Sequence, residues 1–371
     1  MTAGFHAPLP PSRTGVADYA AALLAELRKG GDVAVNAPGG VNLYHLGNNP
    51  LHRGIYRQAL ARPGVAVLHD AVLHHFFLGS LGERGYIEEF TFNYGPWFED
   101  VARTLWAERA RSAADPRYFA YPMLRRIAEA SRAVVVHNPA AARMVLRHAP
   151  TARVREIPHL VLPGDEPPAY EVERLRRSWG IPGGGVVFGV FGHLRESKRV
   201  SAVLRAFRRV RKAAPGARLL LAGEFASPDL ERNLSTQPAM PGLIRMTWTG
   251  AAQFAALISA ADVCINLRYP AAGETSGIVI RAMAAGRPVM VTAGEETSRF
   301  PEHTSVPIDP GPGEEDMLVD AMLWMAGTPA ARAAMGRAAR EYVRRVHAPA
   351  VAARLYWEVL RQAGGETCSG R

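Results

Sequence analysis

Two turns in this chain carry the residue types of an anion-binding site. The first is Gly273-Glu274-Thr275-Ser276-Gly277, followed by the helical pattern IVIRAMAAG and the strand-like PVMVTA. A glycine-bearing loop that opens into a helix offers unpaired backbone N–H groups and the positive end of the helix dipole, which together suit phosphate. Glu274, Thr275 and Ser276 would then lie beside the phosphates. A plain capped helix start uses the same residues, because Thr275 and Ser276 are good N-caps. The second turn is GVFGHLRESKRV, Gly189 to Val200, where a strand gives way to His193, Arg195 and Lys198. Each cation near a helix N-terminus is unfavourable by about 0.3–1 kcal/mol, so three together ask for an anion such as a diphosphate.

Further candidates cluster in the first half. In TGVADY, Gly15 permits close backbone approach to a ligand, and Asp18 falls in the first helical turn. After the strand-like AVL come His69 and Asp70, then His74 and His75. That spacing is not HExxH, and no cysteine or second acidic cluster joins it, so no metal is expected. A His-Asp pair at a strand end is better suited to hydrogen-bond a sugar or a phosphate oxygen. His137 and Asn138 likewise close the run VVVHN. No Asp-x-Asp pair awaits Mg²⁺ or Mn²⁺, and no GxGxxG marks a dinucleotide-binding dehydrogenase.

The elements that must hold these turns are short β-branched strands alternating with helical patterns, the signature of parallel sheets wrapped by helices. Strands are expected at residues 33–35, 42–46, 65–68, 133–136 and 154–157. A second series is expected at 186–190, 219–222, 244–248, 263–266 and 289–292. Between the series, Pro163, Gly164, Pro167 and Pro168 mark a linker. The expected domains are residues 1–162 and 163–347, with a helix at 348–364 whose Val351, Leu355, Tyr356, Val359 and Leu360 make an apolar face. Two doubly wound domains facing each other would place a ligand in the cleft at the carboxyl ends of their strands.

Composition narrows the class. The 371 residues suffice for two domains, and 48% hydrophobic with 21% charged residues is ordinary for a globular chain. The two cysteines, Cys264 and Cys368, exclude a disulfide framework. No apolar run reaches the roughly 20 residues of a membrane helix, and the reading is of a cytoplasmic protein without membrane insertion. The net charge of +10 comes mostly from arginines along helix faces, such as Arg205, Arg208, Arg209 and Arg211, which reads as solvated surface. Without an aromatic platform among them, nucleic acid is not an expected partner. The aromatics of residues 85–130, from Tyr86 to Tyr121, read mostly as core packing.

With these residues assembled, the chain resembles family 4 of the retaining glycosyltransferases, the glycosyl transferases group 1, over essentially its whole length. The likeness rests on TGVADY, VLHDAVLHH, GHLRESK, SAADVCINL and GETSGIVIRAMAAGRP. The resemblance implies a GT-B architecture: two facing Rossmann-like domains with parallel sheets, and a final helix that crosses back onto the first. It implies transfer of a sugar from a nucleoside diphosphate sugar, UDP- or GDP-linked, with no metal and no other cofactor. His69, Lys198 and Glu274 would carry catalysis. Gly15, His193, Arg195, Thr275, Ser276, Gly277 and Arg281 would hold the donor with them, and Asp18, Asp70, His137 and Asn138 would line the acceptor or sugar side.

Two positions depart from the family. Arg281 stands where a second glutamate usually holds the ribose, with Glu274 one step out of register for the first. His193 stands where arginine is common. The acceptor is read as a soluble small molecule of natural-product biosynthesis, with a surface glycan, a sugar-nucleotide epimerase or a non-catalytic binding protein as alternatives. A phosphorylase-like enzyme would need a pyridoxal lysine, and none is singled out. The oligomeric state is left open, a homodimer included.

Overall fold

The computed structural model describes all residues except 1, 13, 114, 163, 165, 182–184, 236–239, 248–249 and 366–371, and the side chain of residue 251. Pro163, Trp248 and Cys368, used above, lie outside the described residues. The chain forms two compact units. Unit 1 comprises Met1–Leu162, Pro270–Thr275 and His347–Arg371, and unit 2 comprises Pro163–Tyr269 and Ser276–Val346.

Unit 1 is built on six parallel strands: β1 (Ala3–His6), β2 (Val33–Val35), β3 (Val41–Leu46), β4 (Val65–Leu68), β5 (Ala133–Val136) and β6 (Val154–Glu156). They lie in the order β2-β1-β3-β4-β5-β6. The central strands β3, β4 and β5 are buried along their whole length, as parallel strands covered on both faces must be, and β4 and β5 read as unbroken apolar runs, whereas β3 also buries Asn42 and His45. The helix Gly15–Gly30 starts at Thr14, whose hydroxyl accepts from the Ala17 N–H at 3.0 Å. Asp18 in its first turn and Arg28 and Lys29 in its last complement the dipole. Its buried face, Tyr19, Leu23 and Leu27, packs in one core with Tyr356, Trp357 and Leu360 of the final helix Pro349–Gly364. Tyr19 and Tyr356 share a hydroxyl hydrogen bond of 3.0 Å, and the Trp357 indole donates to the Leu27 carbonyl at 3.2 Å. The final helix therefore belongs to unit 1, the return that a GT-B chain makes.

Unit 2 repeats the plan with β7 (Val187–Phe191), β8 (Arg218–Ala222), β9 (Leu243–Met246), β10 (Val263–Asn266), β11 (Val289–Thr292) and β12 (Ser305–Ile308), ordered β12-β11-β10-β7-β8-β9 and all parallel. The helix Val200–Ala213 buries Val203, Phe207 and Val210 on one side. On the other, Arg205 and Arg209 pair with Glu315 and Asp316 of the helix Glu314–Gly327. Those arginines serve a solvated helix–helix seam. Among the described residues no helix is long and apolar enough to cross a membrane.

Two strands lie outside the sequence expectation, β1 and β12. In β1, a Cβ on Gly4 would stand 2.1 Å from the Asn42 Oδ1, so a small residue is required where a β-branched one would have advertised the strand. In β12, Pro307 is tolerated because the strand is an edge.

Candidate functional site

In a doubly wound sheet the ligand sits beyond the carboxyl ends of the strands where the winding reverses. In unit 2 that point lies between β7 and β10, the two strands followed by the turns with anion-binding chemistry. After β7, Gly192 adopts a φ of +82°, which favours glycine, and a Cβ there would stand 2.5 Å from Ile278 Cδ1 and 3.1 Å from Lys198 Nζ. The turn thus lies against both Lys198 and the first turn of the helix Gly277–Ala284. Lys198 is only 4% exposed, and its ammonium donates to the Phe191 carbonyl at the end of β7. Lysine is seldom buried this deeply unless its charge is matched. The next residue, Arg199, has a left-handed φ of 56° and is held by a two-pronged pair to the buried Glu314 carboxylate. That anchor fixes the backbone that carries Lys198. His193 and Arg195 are exposed on the same turn. Desolvation and then the Lys198 charge hold His193 below its usual value, so near pH 7 its imidazole is neutral.

The other wall is the start of the helix Gly277–Ala284. Ser276 caps it, its hydroxyl accepting from the Val279 N–H. Arg281 is in the last turn, partly exposed, where a cation is favoured by the dipole. Between β10 and this helix stands a residue absent from the sequence candidates, Arg268. Its guanidinium donates to the Ser276 hydroxyl at 3.2 Å and to the Asn266 side-chain Oδ1 at 3.3 Å, and its backbone N–H to the Thr292 hydroxyl at 2.9 Å. The Tyr269 N–H donates to the Ser197 carbonyl at 2.8 Å, tying the Arg268 loop to the Lys198 turn. Asn266, also buried, has an Nδ2 with no hydrogen-bond partner among the described residues. The signal that could have found Arg268 is its place, two residues past the last strand residue before the glycine loop. Cys264 inside β10 is inert, its thiol pushed up to about 12 by burial.

Pro270–Thr275 packs with unit 1 rather than with the nucleotide-side domain to which the sequence boundaries assign it. The physical reason is a set of hydrogen bonds. The Ala71 N–H donates to the Ala272 carbonyl at 2.8 Å, and the Asn138 amide donates to the Gly273 carbonyl at 2.9 Å and to the Thr275 hydroxyl at 3.0 Å. Gly273 has a φ of +67°. A Cβ there would meet Ala71 Cβ at 2.7 Å. Glu274 uses one carboxylate oxygen on the Ala272 N–H at 2.7 Å.

The strand ends of unit 1 gather histidines. His45 Nδ1 lies 3.0 Å from His69 Nε2, and the His69, His137 and His159 rings follow one another at centroid spacings of 5.1 and 5.5 Å around Tyr19. Burial above all holds His45 and His69 well below 6.5, and His137 at about 4. His45, His69 and His137 are therefore neutral at pH 7. His69 is 9% exposed and sits at the end of β4, whereas His137 spends Nδ1 on the Ile157 carbonyl. Asn138 caps the helix Pro139–His148 and spends both amide protons on the Pro270–Thr275 loop. The Asp70 carboxylate accepts from the Asn48 N–H at 2.9 Å. His74 is a core residue, held by the Tyr121 carbonyl and the Tyr86 hydroxyl. Gly15 and Asp18 are exposed at the start of their helix, and a Cβ on Gly15 would meet none of the described residues within 4 Å. Among the described residues no three His, Cys, Asp or Glu side chains are grouped to hold a metal ion.

Residues 185–327, the body of unit 2, match the family model described as glycosyl transferases group 1. The chain resembles the group 1 glycosyltransferases. Its fold is the GT-B fold of solved structures that it matches end to end. Sucrose-phosphate synthase from Thermosynechococcus elongatus superposes with a TM-score of 0.70 at 15% identity, over 99% of this chain and 100% of that one. HepE of Anabaena, solved with UDP and glucose, gives 0.68 at 13% identity, over 98% and 100%. WaaG, a glycosyltransferase involved in lipopolysaccharide biosynthesis, gives 0.61 at 15%, over 96% and 99%. No curated protein matches the chain in sequence. The group 1 match thus covers both turns at the switch point of unit 2, including the two departures at His193 and Arg281.

Proposed function

We propose that this chain is a retaining, metal-independent glycosyltransferase that takes a nucleoside diphosphate sugar as donor. The observation that carries the reading is the convergence, at the switch point of unit 2, of the buried Lys198 ammonium, the Gly192 turn and the Ser276-capped helix start. Such a site suits a diphosphate: backbone N–H groups and fixed cations aimed at one spot. HepE has been solved with UDP and with UDP-glucose, which favours a uridine donor here.

In the proposed reaction the bond between the sugar C1 and the β-phosphate oxygen breaks, leaving positive charge on the sugar and negative charge on the diphosphate. Lys198, Arg268, Arg195 and the N–H groups near Gly277 stabilise that negative charge, each donor being worth about 2.7–4 kcal/mol in a preorganised site. The acceptor oxygen attacks C1 on the same face, and the departing phosphate oxygen takes its proton. The anomeric configuration is kept without a protein nucleophile. His69, at the strand ends of unit 1, contacts the sugar or the acceptor, and Glu274 holds donor hydroxyls.

The test is turnover of UDP-glucose and related donors with a panel of small-molecule and glycan acceptors, with product configuration read by NMR. Transfer with retained configuration, unchanged by EDTA, is expected. Inverted product, or activity lost to chelator and restored by Mg²⁺, overturns the mechanism; donor isomerised without an acceptor points to an epimerase. A sharper check falls on Arg268. Arg268→Ala should weaken UDP binding by about tenfold or more, since a hydrogen bond to a charged group contributes roughly 1.5–3 kcal/mol. Calorimetric titration with UDP measures it, and an unchanged affinity places the guanidinium outside the site.

A further inference from the structure

We infer that His45 is a positioning residue that fixes the tautomer of His69, so that His69 meets its ligand with a proton on Nδ1. The inference rests on the reading of His69 as a contact for sugar or acceptor.

His45 lies inside β3, fully buried, with its Nδ1 3.0 Å from His69 Nε2. The two neutral rings share one proton across this contact, and either nitrogen could hold it. If His69 donated from Nε2, His45 would have to keep its own proton on Nε2, an atom that is buried with no hydrogen-bond partner among the described residues. Orphaned buried N–H groups are rarer in folded proteins than under-used acceptors. If His45 donates from Nδ1 instead, the orphaned Nε2 is only a bare lone pair.

The surroundings repeat this pattern. His52 Nδ1 lies 2.9 Å from the His45 carbonyl and His137 Nδ1 lies 2.9 Å from the Ile157 carbonyl. A carbonyl can only accept, so both imidazoles carry their proton on Nδ1, and their buried Nε2 atoms, without hydrogen-bond partners among the described residues, are also bare. The backbone thus sets one tautomer across the cluster, and His45 hands the same form to His69. Tautomer choice in histidine is set by the bond that the other nitrogen makes.

The consequence is chemical. With Nε2 accepting from His45, His69 has Nδ1–H left to offer. It acts as a hydrogen-bond donor to a hydroxyl or phosphate oxygen, not as the base that removes the acceptor's proton. This agrees with a mechanism in which the leaving phosphate takes that proton.

The test uses the full chain with ring-¹⁵N histidine. Long-range ¹H–¹⁵N NMR at pH 7.5, with the His69 signals assigned by their loss in His69→Gln, should show the proton on Nδ1. A proton on Nε2 overturns the inference, and this measurement needs no variant of His45. Kinetics supply the second arm. His45→Leu removes the donor and should lower kcat by about tenfold or more with donor KM within about twofold, as a mis-set tautomer does elsewhere. His45→Asn, whose amide N–H falls near the lost Nδ1–H, should restore most of the rate. Equal rates in the Leu and Asn variants, at matched melting temperatures, would also overturn it. His69→Ala at the wild-type rate would instead remove the proposed role of His69, whatever its tautomer.

Discussion

Lys198→Met should reduce turnover by about 100- to 1000-fold while leaving the chain folded. Methionine keeps the length of the apolar stem and deletes only the ammonium, so the packing of the Glu196–Lys198 turn on Gly192 is retained. The Phe191 carbonyl loses a donor, a structural cost of about 1–3 kcal/mol for a buried group. The activity loss has a different origin. A fixed cation beside the diphosphate stabilises charge that appears only as the sugar–phosphate bond breaks, and one such donor is worth about 2.7–4 kcal/mol of barrier. The loss should therefore fall on kcat as well as on donor affinity. Steady-state kinetics beside a melting curve separate the two effects. A near-normal rate in a folded variant would sink the diphosphate assignment for this turn.

Acidification from pH 7.5 to 5.0 should unfold unit 1 well before unit 2. His6, His45, His52, His69, His74, His137 and His347 are all held below 6.5, with burial the largest cause in each. The sign follows from linkage. Above pH 6.5 these groups are neutral in both states; below it the unfolded chain takes up protons that the folded one refuses, so stability falls as pH drops from 6.5 toward the folded values. For His74 and His137, held at about 4, the loss by pH 5.0 is about 2 kcal/mol each. Those two together already amount to a large part of a domain's usual 5–15 kcal/mol. Melting temperature should fall by about 10 °C or more, at roughly 2–4 °C per kcal/mol for a unit of this size. Hydrogen exchange should locate the first opening in the strand ends of unit 1. A melting temperature flat over this range would contradict the burial of the cluster.

Most of the architecture was legible because parallel strands covered on both faces must be apolar throughout, and runs such as Val65–Leu68 and Ala133–Val136 announce themselves. β1 escaped because its neighbour Asn42 crowds Gly4, and β12 because an edge strand may keep Pro307. The candidate site was legible where chemistry is written in adjacent residues, as in GHLRESK and GETSG. It was hidden where the fold does the gathering. Nothing local links Arg268 to Lys198, or His45 to His69. Those pairs exist because the sheets lay β10 beside β7, far off in the chain, and β3 beside β4 across a helical crossover. Asn138 shows the converse: its type and strand-end place suggest a ligand contact, yet its amide is committed to a helix cap and to a loop more than a hundred residues away.

Because unit 1 includes the last helix, its assembly has an order imposed by synthesis. Leu162 leaves the ribosome long before Pro349, and at 5–20 residues per second the gap is roughly 10–40 s. During that interval the helix Gly15–Gly30 has its Tyr19, Leu23 and Leu27 face without the cover of Tyr356, Trp357 and Leu360. The nascent chain is therefore a natural client for a chaperone. For the same reason, a fragment ending at Leu162 would be expressed as an open-faced sheet rather than as a domain.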